Sequence, residues 1–118
     1  MSERSMSSFR KGSYTKDAVR IASALNKAKI ACQLEHEIQR YGEFRNGHPL
    51  SYFIDILVTD ERFKTVAIEV EGAGSASKDN TARDVYLWLR NIIVLHVDNS
   101  TSGDEVIKRL ERDFRRSK

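Results

Sequence analysis

A single cysteine, Cys32, leaves the chain without an intrachain disulfide and without a cysteine-cluster metal site. No apolar run in the 118 residues approaches the length needed to cross a bilayer. Residues 1–5 lack the apolar core of a signal peptide. These absences lead to the expectation of a cytoplasmic, intracellular protein without a membrane partner. Nor is there a large excess of either charge. Twenty basic residues against 17 acidic ones leave a net charge of +3, which by itself names no partner.

What is present is an ordinary soluble balance, 40% hydrophobic and 31% charged, which excludes global disorder. The length suits one domain with a single core. Residues 1–13 are polar and Ser-rich, and read as a flexible arm. Residues 14–118 read as one domain with a basic C-terminal end. Its charge is unevenly spread. Arg109, Arg112, Arg115, Arg116 and Lys118 crowd the C-terminus, Arg4, Arg10, Lys11 and Lys16 lie near the start, and the middle is acidic. Basic ends around an acidic centre fit phosphate contact around a metal site, and a solvated surface accounts for them equally.

Apolar spacing predicts the elements. Ala18, Ile21, Ala22, Leu25 and Ala28 repeat at three and four, giving a first helix capped by Thr15 and ending within residues 26–29. Residues 30–38 alternate and read as a strand, or as a continuation of that helix to Tyr41. Residues 41–49 read as a turn-rich loop around Asn46-Gly47, with Pro49 restraining the next strand. Strands are expected at 51–58 and 65–71, antiparallel across a hairpin-like connection. A helix capped by Asp79 or Asn80 is expected to reach Arg90, with Ala82, Val85, Tyr86 and Leu89 on its inner face, widened by Leu87 and Trp88. Residues 92–97 are almost continuously apolar and read as a central strand, reached by a parallel crossover. Ser102 or Asp104 starts a last helix, with Val106 or Ile107, Leu110 and Phe114 inward. The expected order is α-β-β-β-α-β-α, an α/β fold with a mixed sheet flanked by helices.

Acids inside the most strand-like segments call for an explanation. Asp55 sits between Phe53-Ile54 and Ile56-Leu57, and Glu69 and Glu71 interrupt the next apolar run. On an unbroken strand Glu69 and Glu71 share a face. If their strand is the hairpin neighbour of Asp55, three carboxylates converge. Such a cluster raises its own pKa values unless cations intervene. Mg²⁺ or Mn²⁺ suits all-oxygen ligands completed by waters. The plainer alternative is that Glu69 and Glu71 line a solvated face while Val66, Ile68 and Val70 face the core; it explains Asp55 less well.

These residues in this order resemble the PD-(D/E)xK nuclease superfamily, closest to its very-short-patch-repair-like and DUF559-type branch. The corresponding pieces are Ile54-Asp55-Ile56, Glu69-Val70-Glu71-Gly72, Asp79-Asn80-Thr81-Ala82-Arg83-Asp84 and Val94-Leu95-His96-Val97. The resemblance spans about residues 14 to 115 and implies a restriction-endonuclease-like core. It implies a Mg²⁺- or Mn²⁺-dependent DNA endonuclease, with Asp55 and Glu69 as metal ligands. Glu71 stands where the superfamily usually has lysine and matches its acidic variant. Asp17 lies where related nucleases place a first-helix glutamate, and Lys78, in the following loop, is the candidate for proton transfer. Arg83, Arg109, Arg112, Arg115 and Arg116 are the expected DNA-backbone contacts. The implied partner is double-stranded or branched DNA, engaged by a homodimer or within a larger nuclease complex.

Other residues have plainer readings. Trp88, Tyr52 and Tyr86 read as packing, His36, His48 and His96 as surface or sheet residues, and Cys32 as buried and inert. Two rival functions share the fold: a catalytically silent nucleic-acid-binding or assembly module, and a protein-interaction domain.

Overall fold

The computed structural model describes residues 16–45, 48–71 and 80–117. The expected arm at 1–13, the Asn46-Gly47 turn and Lys78 lie outside them. The order is α1 (Lys16–Lys27), β1 (Cys32–Arg45), β2 (His48–Val58), β3 (Val66–Glu71), α2 (Asn80–Leu89), β4 (Ile93–Asp98) and α3 (Gly103–Asp113). This is the α-β-β-β-α-β-α sequence, with four described strands in the order β1-β2-β3-β4. β1 and β2 are antiparallel, β2 and β3 antiparallel, and β3 and β4 parallel.

Local chemistry ends the first two helices in the same way. Lys29 takes a positive φ of 63°, its N–H donates to Asn26 O, and the Ile30 N–H reaches back to Leu25 O. Asn91, at φ 66°, donates to Trp88 O, and the Ile92 N–H reaches Leu87 O. Both are Schellman ends, in which the residue past the left-handed position packs on the last turn. Leu25 with Ile30, and Leu87 with Ile92, are the buried pairs that result. α3 starts at Ser102, whose Oγ accepts the Glu105 N–H at 3.0 Å.

The helices divide between the two faces of the sheet. Ala18, Ile21, Ala22 and Leu25 of α1 and Val106 and Leu110 of α3 pack with Ile56, Val58, Val66 and Ile68. Leu87 of α2 packs in a second cluster with Ile54, Leu57, Ala67 and Ile92. Ile54 and Leu57 are three apart yet share a cluster, so strict alternation along β2 fails around Asp55. Across from that point, between the pairs Leu34↔Ile56 and His36↔Ile54, Glu35 has a positive φ of 52°. α1 and α3 approach closely at Gly103, where a Cβ would lie 2.3 Å from Ala24 Cβ.

The strand expected at 30–38 is present from Cys32, in place of a helical extension. Three other expectations are corrected. β1 runs on to Arg45 and β2 begins at His48, so the expected 41–49 loop is mostly ladder. Pro49 lies within it, opposite Phe44, beyond a register shift after Arg40. β4 is not central but at the edge of the described sheet, because the crossover adds it outside β3. α2 is rotated from its expected setting. Leu87 is fully buried and Arg83 is turned inward, whereas Val85, Trp88 and Leu89 face outward. The inward side carries Leu87 against Ile54, Leu57 and Ala67 and, one turn before it, Arg83 at 3.4 Å from Glu69, so burial of one leucine and an ion pair sets the helix face.

Candidate functional site

The β2–β3 ladder among the described pairs runs from Val58↔Val66 to Ile56↔Ile68. Just past it, the Asp55 carboxylate takes over as acceptor. Its Oδ2 receives the Val70 N–H at 2.9 Å. β3 stays paired on its other side, with Glu69 beside His96 and Glu71 beside Asp98. The acids therefore sit where one strand pair opens while the next continues.

Glu69 is the buried member, 6% exposed. Arg83 Nη1 approaches its Oε1 at 3.4 Å, while its Oε2 is buried without a hydrogen-bond partner among the described residues. Burial, then the negative charge of Asp55, push its pKa up to about 8 from an ordinary 4.5, against the opposing pull of Arg83, the Asp55 backbone N–H and His96. One guanidinium at that distance does not offset the desolvation.

Glu71 takes part in a second arrangement. His96 Nδ1 lies 2.6 Å from Glu71 Oε2, and its Nε2 lies 2.8 Å from Asp84 Oδ2. One imidazole thus ties β3 and α2 to β4. Partial burial lowers its pKa, but the bonds to Asp84 and Glu71 outweigh this and raise it, so the doubly protonated ring that can donate to both carboxylates is favoured. Arg83 Nε also stands 3.6 Å from Asp84 Oδ1.

The expected site residues separate into groups. Asp55, Glu69 and Arg83 come together, whereas Glu71 joins His96 and Asp84. Asp17 is on α1, which covers the other face, and pairs with Arg20 at 3.1 Å; Arg20 also donates to Asn99 O and Thr101 O, holding α1 to the loop after β4. The C-terminal arginines are apart from the acids. Arg109 pairs with Glu105, Arg112 with Asp113 and Arg115 with Glu111. Arg115 stacks over Phe63 and the Arg116 N–H donates to Arg62 O, so both lie by the β2–β3 connection, at the end of β3 remote from Glu71. Two members carried no role in the sequence reading: Asp84, and His96 as a bridge. Asp84 and His96 belong to α2 and β4, and no spacing rule relates them. The apolar run around His96 was the available signal, since a lone polar residue there needs a partner.

No three His, Cys, Asp or Glu side chains among the described residues are grouped to hold a metal ion by themselves. Asp55 and Glu69 offer less than that: a buried oxygen without a partner beside a second negative charge. That donor set fits a hard divalent cation, which binds through one or two carboxylates and keeps several waters. Among the described residues, no helix is long and apolar enough to cross a membrane. Comparison with family models, with curated proteins and with solved structures found no match to this chain.

Proposed function

We propose that the chain is a divalent-metal-dependent DNA endonuclease with a restriction-endonuclease-like core, acting inside the cell on double-stranded or branched DNA. The observation that carries this reading is Glu69, a buried carboxylate driven to a pKa of about 8 beside Asp55 at the point where β2 and β3 part. A site that raises the cost of its own negative charge gains most from a cation. Asp55 and Glu69 would hold Mg²⁺ or Mn²⁺. When bound, such an ion supplies Lewis acidity at a phosphodiester. Arg83, already at the mouth of the acid pair, would exchange its carboxylate partner for a phosphate oxygen. The Glu71–His96–Asp84 bridge would hold a proton near neutral pH, a role that the superfamily lysine fills elsewhere. The order of elements and the Asp55, Glu69 and Arg83 positions support the superfamily reading.

The test is cleavage of plasmid and branched DNA with Mg²⁺ or Mn²⁺. Activity lost in Asp55→Ala and in Glu69→Gln supports the reading; cleavage at the wild-type rate by the folded Asp55→Ala protein refutes it.

A specific observation favours a second reading, a catalytically silent DNA-binding or assembly module. The acids already have protein cations beside them: the protonated His96 ring bridges Glu71 and Asp84, and Arg83 stands 3.4 Å from Glu69. That reading expects salt-sensitive DNA binding that needs no metal and survives loss of Asp55.

A further inference from the structure

Among the described residues β4 pairs only with β3, and no described strand lies along the outer side of its six residues. It carries no proline or lysine, two of the devices that keep edge strands from pairing. Beside it, α2 turns Val85, Trp88 and Leu89 outward, with Trp88 66% exposed. A cavity of about 340 Å³ lies between Asp84, Val85, Trp88, Ile93 and Val94, so the helix and the strand edge form one apolar flank. Charge is graded along it. Lys64, Arg90 and Arg116 line a groove with Trp88 and Ile93 where β4 begins. Glu71, Asp84 and Asp98 lie toward the end where β4 finishes.

We propose that this flank is a homodimer interface in which β4 pairs antiparallel with β4 of a second copy about a two-fold axis. Charge complementarity selects that occupant and that direction. An antiparallel pairing sets the basic end of each copy on the acidic end of the other, twice, whereas a parallel one sets like on like. The axis stands perpendicular to the sheet, so both α2 helices stay on one face and their apolar residues meet over the junction. Standard interfaces bury about 800 Å² per partner. Trp88, 66% exposed beside the strand edge, would anchor such a contact, with Leu89 and Val85 around it. The pairing also carries the partner's Lys64, Arg90 and Arg116 toward the Glu71–His96–Asp84 bridge, from which the same residues of its own copy are remote. The dimer stands whether or not the nuclease reading holds.

Sedimentation velocity of the full chain, without DNA or metal, from micromolar to millimolar concentration, tests it. The wild type is expected to dimerise. The surface changes Trp88→Glu and Val85→Lys are expected to raise the dissociation constant about tenfold or more, and Lys64→Glu with Arg116→Glu to weaken it in the same direction. Hydrogen exchange on the wild type gives an arm independent of any variant's folding: the outer amides of β4 are expected to slow as concentration rises. A monomer at every concentration overturns the proposal. So does a dimer whose β4 amides exchange at one rate throughout.

Discussion

The Asp55 carboxylate accepts the Val70 N–H at 2.9 Å across the gap between β2 and β3, immediately beyond the last described rung of their ladder. A side chain thus does there what a backbone carbonyl does elsewhere in the sheet. Its two roles, as acceptor for a part-buried donor and as a negative charge beside Glu69, separate by substitution. Asp55→Ala leaves the Val70 N–H without this acceptor and is expected to cost about 1–3 kcal/mol. Asp55→Asn keeps an acceptor and is expected to stay within about 1 kcal/mol of wild type, while losing Mn²⁺ binding. Urea denaturation and calorimetric Mn²⁺ titration of both variants check the pair.

Glu69 gives the fold a pH dependence of definite sign. Its pKa is about 8 in the folded chain against an ordinary 4.5, so between those values the native state holds the proton more tightly than the unfolded one. Stability from this group is therefore full below about pH 4.5, falls as pH rises, and levels off above about 8, by an amount on the order of a few kcal/mol. Glu69→Gln is expected to be neutral at low pH and stabilising at pH 8 to 9. Thermal melts from pH 4 to 9 read the difference; parallel curves for the two proteins count against the burial argument.

The same group provides a metal test. A cation held by Asp55 and Glu69 favours the ionised acid and restores the stability lost at pH 8. At about 100 times its dissociation constant such a ligand adds about 2.7 kcal/mol. Melting at pH 8 with and without Mn²⁺ should show the shift in wild type and none in Glu69→Gln.

His96 has the opposite sign from Glu69 only in its chemistry, not in its slope. Its folded pKa is raised above 6.5, so its bonds to Glu71 and Asp84 stabilise the fold fully below that value and weaken as pH passes through the folded pKa. The ring is partly open to water, which keeps the effect small. His96→Gln is expected to flatten the pH profile above 6.5, and an NMR titration of the ring should place its midpoint above that value. A midpoint below 6.5 would refute the doubly bonded imidazolium.

Gly103 lies where α3 begins against α1. An added Cβ would stand 2.3 Å from Ala24 Cβ. Gly103→Ala is expected to destabilise by about 1–3 kcal/mol, and Ala24→Gly in the same chain to recover part of that loss. Chemical denaturation of the single and double variants reads the coupling.

Periodic elements were legible because their signals are local. The stripe Ala18, Ile21, Ala22 and Leu25, the antiparallel step from β2 to β3, the parallel return to β4 and the α3 stripe of Val106 and Leu110 all follow from spacing that the chain carries within a few residues. In the 41–49 segment Gly42, Asn46, Gly47 and Pro49 are turn formers, and local chemistry alone points to a loop. The antiparallel partner of residues 32–40 lies across that segment, and pairing carried the ladder nearly to its tip.

The candidate site divides in the same way. Alternation and hairpin order suffice to put Asp55, Glu69 and Glu71 in apolar runs on neighbouring strands. Which acid is buried, which way α2 turns and what His96 touches are set by the packing of distant segments. Those outcomes depend on electrostatics between segments far apart in the chain. Arg83 faces Glu69 from beneath the helix, Trp88 faces outward, and His96 lies between two carboxylates.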